Sequence, residues 1–178
     1  MRLLPLLTAG LLLGPAGCGA QSESGEEPAM TAPSSITVTS TAFQEGAKVP
    51  TKYTCDGPNV SPPLAWNGVP PKTQALALVM DDPDAPRGTF THWVVLDLDP
   101  STNALAEGQQ PRTQAKNSAG KASYFGPCPP SGTHHYRFTI YALSAKTGLK
   151  DGAKLDEALK AIDSRSIARG RLTGLYAH

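Results

Sequence analysis

The sequence predicts a mainly β fold, one antiparallel β-sandwich domain carrying one or two short helices. Three observations lead there. Apolar side chains recur with period two, or in short continuous runs, in segments bounded by turn-rich stretches. Gly and Pro are abundant, 17 of each in 178 residues, which suits many turns and short strands and argues against an all-helical chain. Helical spacing is clear in one short segment near the end of the chain.

Residues 1–17 read as a signal peptide. Arg2 supplies a minimal positive region, and Leu3 to Leu13 form an apolar stretch too short for a comfortable membrane span. The stretch ends in the small residues Gly14, Ala16 and Gly17, and Cys18 follows. A small-small-Cys ending resembles a bacterial lipobox, in which the cysteine thiol is lipidated and becomes the first mature residue. Pro15 departs from that pattern, since Leu is usual there. Cleavage after Ala20, giving a free secreted protein, is the alternative. One acyl chain holds a membrane only marginally, so an anchor here would carry several. The expected location is the bacterial cell envelope, extracytoplasmic and membrane-anchored, with secretion as the alternative.

Residues 18–34 are the lipidated or secreted tether, polar, Pro-containing and almost free of large apolar side chains. The domain proper occupies residues 35–178. Ile36 and Val38 alternate with small polar neighbours and open a first strand. Residues 75–81 and 92–98 are apolar runs of core-strand length, and residues 135–144 place Tyr136, Phe138 and Ile140 on one side. Leu155, Leu159 and Ile162 predict a helix over 154–162, whereas pattern alone leaves 166–176 open. Between these elements run Pro-rich segments, 46–63, 82–91 and 100–134, read as loops. Loops of that length are uncommon unless they build something.

Charge excludes one class of partner. Lys plus Arg number 16 against 15 Asp plus Glu, and a nucleic-acid-binding face would need a basic surplus.

The loops and strand ends collect the residues able to do chemistry. They lie in Asp81–Pro86, Thr91–Val94 and Gly126–Phe138, and include Asp82, Asp84, His92, His134, His135 and Tyr136. Period two puts His134 and Tyr136 on one face and His135 on the other. Imidazole and phenol groups donate to an anion, and a carboxylate fixes the orientation of a histidine. Backbone N–H groups of the segment 126–133 add further donors. A carboxylate with two histidines also resembles a metal triad, but histidines from separate segments follow no local metal spacing, so neither metal nor cofactor is expected. Ser118 and Ser131 lack the strand–turn–helix setting of an activated serine, so no catalytic residue is assigned and the chain is read as a non-enzyme.

Here the motifs become specific. D-P-D-A-P, then H-W, then G-P-x-P-P-x-G-x-H-x-Y is similar to the signature of the phosphatidylethanolamine-binding protein family, also called Raf kinase inhibitor protein-like. Residues 53–66 (YTCDGPNVSPPLAW) resemble its bacterial branch. The resemblance implies a β-sandwich with a small pocket for phosphate, acetate or phosphorylated head groups. Carried over residue by residue, the pocket holds Asp82, His92, Gly126, His134 and Tyr136, with Pro86 at the rim, and 166–176 becomes a final strand. In that reading His92, His134 and Tyr136 donate to the anion, Asp82 orients a histidine and Gly126 lends backbone. Animal members continue past that strand into a helix beside the cavity, whereas this sequence ends at His178, which implies a more open mouth. Position 135 is His where many members carry Arg, which removes a fixed charge from the neighbourhood.

Once Cys18 is assigned to the anchor, Cys55 and Cys128 remain as an even pair. In an oxidising compartment such a pair forms a disulfide, the alternatives being two free thiols or a reactive Cys128. The expected function is binding of phosphate-like anions, whether phospholipid head groups or phosphorylated or acidic ligands. A protein-interaction module that inhibits a protease or kinase is the first alternative, a weak hydrolase the second. Expected partners are the small anionic ligand and, through the anchor, the membrane; a protein partner and a homodimer stay open.

Overall fold

The computed structural model describes Pro33 and residues 35–178; the signal peptide, Cys18 and nearly all of the tether lie outside the described residues. Two antiparallel sheets are formed among those residues. The larger contains β3 (Ala75–Asp82), β4 (Phe90–Leu98), β6 (Gln114–Ala115), β7 (Thr133–Leu143) and β8 (Ser166–Ala177), in the order β6-β4-β3-β7-β8. The smaller contains β1 (Thr37–Thr39), β2 (Leu64–Asn67) and β5 (Ala104–Leu105), in the order β1-β2-β5. One 3-10 turn (Thr51–Tyr53) and one α-helix, α1 (Leu155–Asp163), complete the described elements. The mainly β sandwich with short helical pieces is therefore the fold.

The sequence pattern explains the layering. Along β3, Leu76, Leu78 and Met80 face the core between the sheets, and Ala75, Ala77 and Val79 face the second core beneath α1. Because both faces of this strand are buried, it reads as a continuous apolar run instead of an alternation. On β7, Tyr136, Phe138, Ile140 and Ala142 enter the first core, while Tyr141 and Leu143 enter the second. The small sheet closes the first core with Val38, Leu64, Trp66 and Leu105. Helix α1 covers the second with Ala158 and Ile162. Gly170 on β8 marks a close approach of the chain before β1, since a Cβ there would collide with the carbonyl of Ile36.

One expectation about elements needs correction, and one is met. Residues 100–134, read as one long loop, contain β5 and β6, and β2 went unassigned. Strands of two to four residues are too short for periodicity, and their pairing with β2 and β4 is what defines them. The segment 166–176, open by pattern, is β8, paired along its length with β7.

Candidate functional site

The expected site residues meet at one end of the larger sheet. There β3 ends and β4 and β7 begin, and antiparallel pairing sets these ends side by side. On β7, His134 and Tyr136 extend the face that holds Phe138 and Ile140, so the site is the polar end of the core stripe. His92 arrives by a different device. The register of β3 against β4 passes from Met80↔Trp93 to Asp81↔Thr91, leaving His92 as the extra residue of a bulge. Bulges re-aim side chains, and this one lets His92 and Trp93 both point inward although they are neighbours in the chain.

Asp82 is 3% exposed and His134 is 7% exposed. Nδ1–H of His134 donates to Oδ2 of Asp82 at 2.7 Å, so the carboxylate orients the ring as expected. Asp82 also closes the following turn by accepting the Asp84 N–H at 2.8 Å. Tyr136 lies between the two imidazoles, edge-on to His92 at 5.3 Å between ring centres and nearly parallel to His134 at 6.5 Å. Its hydroxyl is enclosed and has no hydrogen-bond partner, one of two such buried side-chain oxygens among the described residues. Burial, then the nearby Asp82 carboxylate, holds the phenol well above its ordinary value, so it stays a donor.

Nδ1–H of His92 donates to the carbonyl of Phe125 at 2.8 Å. A carbonyl only accepts, so Nδ1 carries the proton and a neutral ring leaves a lone pair on Nε2. Burial pushes the His92 imidazole below the ordinary histidine range, opposed chiefly by that carbonyl. Nε2 of His92 and Nε2 of His134 make no hydrogen bond among the described residues, and neither is fully enclosed. The expectation that these histidines simply donate is thus modified: each uses its donor internally, and Nε2 donates only when the ring is protonated.

Gly126 was expected to lend backbone to the pocket. Its N–H is already taken by Asn59 Oδ1 at 2.8 Å. The glycine is required by packing instead, because a Cβ would strike the Tyr53 carbonyl and the Asn59 side chain. Pro86 sits exposed in the turn that follows β3. Cys55 and Cys128 are joined in a disulfide that ties the segment after the 3-10 turn to the segment before β7.

Sequence reasoning missed the aromatic frame. Phe125 stacks on His92 at 5.6 Å and Phe90 tilts against it at 4.8 Å, both partly exposed. The aromatic residue directly before the Gly-Pro motif was the available signal. Asn117 was missed too; its amide donates to the carbonyls of His92 and Ser123 and pins β4 to the loop.

Comparison with known proteins places the fold in a family. The family profile described as phosphatidylethanolamine-binding protein matches residues 39–177. The chain belongs to the phosphatidylethanolamine-binding protein family. Within it, a phosphatidylethanolamine-binding protein homologue from Chlamydia trachomatis superposes with a TM-score of 0.76 at 38% identity, covering 81% of this chain and 98% of that one. Escherichia coli YbcL, described as a new member of the mammalian phosphatidylethanolamine-binding protein family, gives 0.76 at 29% identity over 82% and 99%. A Mycobacterium tuberculosis relative named as lipoprotein LppC is 40% identical over 192 residues, 97% of this chain and 95% of its own. A UPF0098 protein from Methanothermobacter thermautotrophicus is 43% identical over 76% and 94%.

Proposed function

We propose that this family member binds a small phosphate-like anion at the Asp82–His92–His134–Tyr136 cluster, and does so without turning it over. The observation that carries the reading is the buried Tyr136 hydroxyl, which makes no well-formed hydrogen bond although the Asp82 carboxylate and the Cys128 backbone lie near it, beside two imidazoles whose Nε2 atoms make none. An unpaired buried donor costs about 1–3 kcal/mol, and an anion oxygen reaching it would offset that cost. The aromatic frame around His92 leaves the imidazoles and the phenol as the polar groups offered to a phosphoryl or carboxyl head.

The tautomers imply how such a head is held. With Nδ1 of His92 committed and burial favouring its neutral form, an anion oxygen finds a donor at that Nε2 only if a proton arrives with it, on the imidazole or on the anion. Asp82, negative and buried, works against a fully ionised ligand unless that proton is supplied. The bound species is therefore a protonated complex, such as a monoanionic phosphoryl group.

We also propose an extracytoplasmic, membrane-anchored location. It is supported by the signal-like residues 1–17, by Cys18 and by a lipoprotein-named relative aligned over 97% of the chain. Among the described residues no helix is long and apolar enough to cross a membrane. Calorimetric titration with phosphate and phosphorylethanolamine tests the function. Saturable one-site binding, lost in His134→Ala and accompanied by proton uptake in buffers of different ionisation enthalpy, is expected. A folded protein that binds neither ligand would overturn the reading and turn attention to a protein partner.

A further inference from the structure

A second cluster of ligand atoms lies on the surface beside the disulfide. Sγ of Cys55, Sγ of Cys128 and Nε2 of His178 all fall within 4.8 Å of one another. Oδ2 of Asp56 stands 3.1 Å from the same Nε2, and the Tyr176 hydroxyl donates to that oxygen at 2.6 Å. We propose that, when the bridge is reduced, Cys55, Asp56, Cys128 and His178 form a tetrahedral site for a zinc-class divalent ion.

Geometry supports the assignment. Tetrahedral bonds of zinc to sulfur, nitrogen and oxygen imply a sulfur–nitrogen edge of about 3.6 Å and a nitrogen–oxygen edge of about 3.4 Å. Cys55 Sγ lies 3.7 Å from His178 Nε2, close to the first of these edges. The 3.1 Å between His178 and Asp56 is within a few tenths of the second. Reduction opens the sulfur–sulfur edge, and the Asp56 carboxylate, which stands outside the group of three, closes on the metal to complete the tetrahedron. Two thiolates and an imidazole are the donor set that selects zinc over calcium or magnesium, and the Tyr176 hydroxyl orients the carboxylate from behind.

Reduction need not scatter the ligands, because other bonds hold the same segments together. The Cys55 N–H donates to the Pro127 carbonyl at 3.0 Å. Tyr124 donates to the Tyr53 carbonyl at 2.7 Å, and Gly126 donates to the Asn59 side chain at 2.8 Å. The redox step balances with a dithiol reductant. It gives two electrons and two protons to the bridge and leaves as its own disulfide; the metal then displaces both thiol protons. Metal and disulfide are thus mutually exclusive clamps on one pair of segments.

Cobalt(II) is the probe, added to the full chain carrying Cys18→Ser so that no third thiol competes. The reduced protein should take up one equivalent, showing a thiolate charge-transfer band and the strong visible bands of tetrahedral cobalt, both removed by zinc. His178→Ala should weaken binding tenfold or more and shift the visible bands, and Asp56→Asn should shift them as well. The oxidised protein should show neither band. Absence of charge transfer in reduced, folded protein would overturn the proposal, as would spectra and affinity unchanged in His178→Ala. Loss of far-ultraviolet circular dichroism on reduction would also overturn it, since the remaining bonds would then fail to hold the ligands.

Discussion

Three acidic residues crowded at the end of β3 finish with three different partners. Asp81 takes a bidentate ion pair from Arg137, at 2.6 and 2.8 Å, on the outer face of the sheet. Asp82, one residue on, turns inward to His134, and Asp84 caps the exposed His135 through its N–H and Nδ1. The alternation of a strand separates the first two, so one acid serves structure and its neighbour serves the site. Tyr136→Phe tests the residue scale most sharply. Removing a buried hydroxyl that has no partner should leave stability unchanged or raise it by up to about 1 kcal/mol, while anion affinity falls severalfold. Chemical denaturation and calorimetry on one preparation would separate the two effects. A matched loss of stability would instead mean that the hydroxyl is paired within the protein. His92 gives a pH dependence. Burial keeps it neutral in the folded state, so the unfolded chain takes up a proton first. Its contribution to stability is therefore intact above the ordinary histidine value of about 6.5 and declines as pH falls through it, until the folded ring also protonates. Thermal melts between pH 8 and 5 should show that decline, flattened in His92→Gln.

At the scale of elements, the long strands and the helix were legible because they are long enough for a period to emerge. Residues 133–143 carry it over eleven positions, and residues 75–82 are instead an eight-residue strand marked by a continuous apolar run. The two-residue strands β5 and β6 carry none, and tertiary pairing alone creates them. The site was legible by parts. His134 and Tyr136 share a face by period two, which the sequence displays. That His92 also points inward depends on a bulge, and a bulge is a property of the pairing and not of one strand. Gly126 was placed in the pocket by the family resemblance, as a residue lending backbone. Its true constraint is the close approach of the 53–59 segment, visible only when the two are packed. Gly126→Ala should therefore cost about 1–3 kcal/mol by overpacking. A mutant as stable as the parent in urea titration would show that the 53–59 segment yields easily.

The whole molecule places its polar cluster where the inter-sheet core runs out, and its loops are tied there by the Cys55–Cys128 bridge. Family membership was legible in three motifs whose order and spacing survive in the fold. What the motifs could not convey is the protonation of the site, which follows from hydrogen-bond partners far apart in sequence, His92 with Phe125 and Asp82 with His134. The proposed anchor belongs to this scale as well. Cys18→Ser should move the protein from the membrane fraction to the soluble fraction and abolish labelling by radioactive fatty acid. Unchanged fractionation and labelling would assign the anchor to another feature.

The measurement that bears most directly on the central claim is nuclear magnetic resonance of the histidine rings during a phosphate titration. The chain has four histidines, two in the cluster and two, His135 and His178, exposed. The account predicts that His92 and His134 shift together and saturate at one equivalent, with their Nε2 signals moving toward the protonated form, while His135 and His178 stay near their starting positions. Parallel, unsaturated drift of all four, or no movement of His92 and His134, would contradict it.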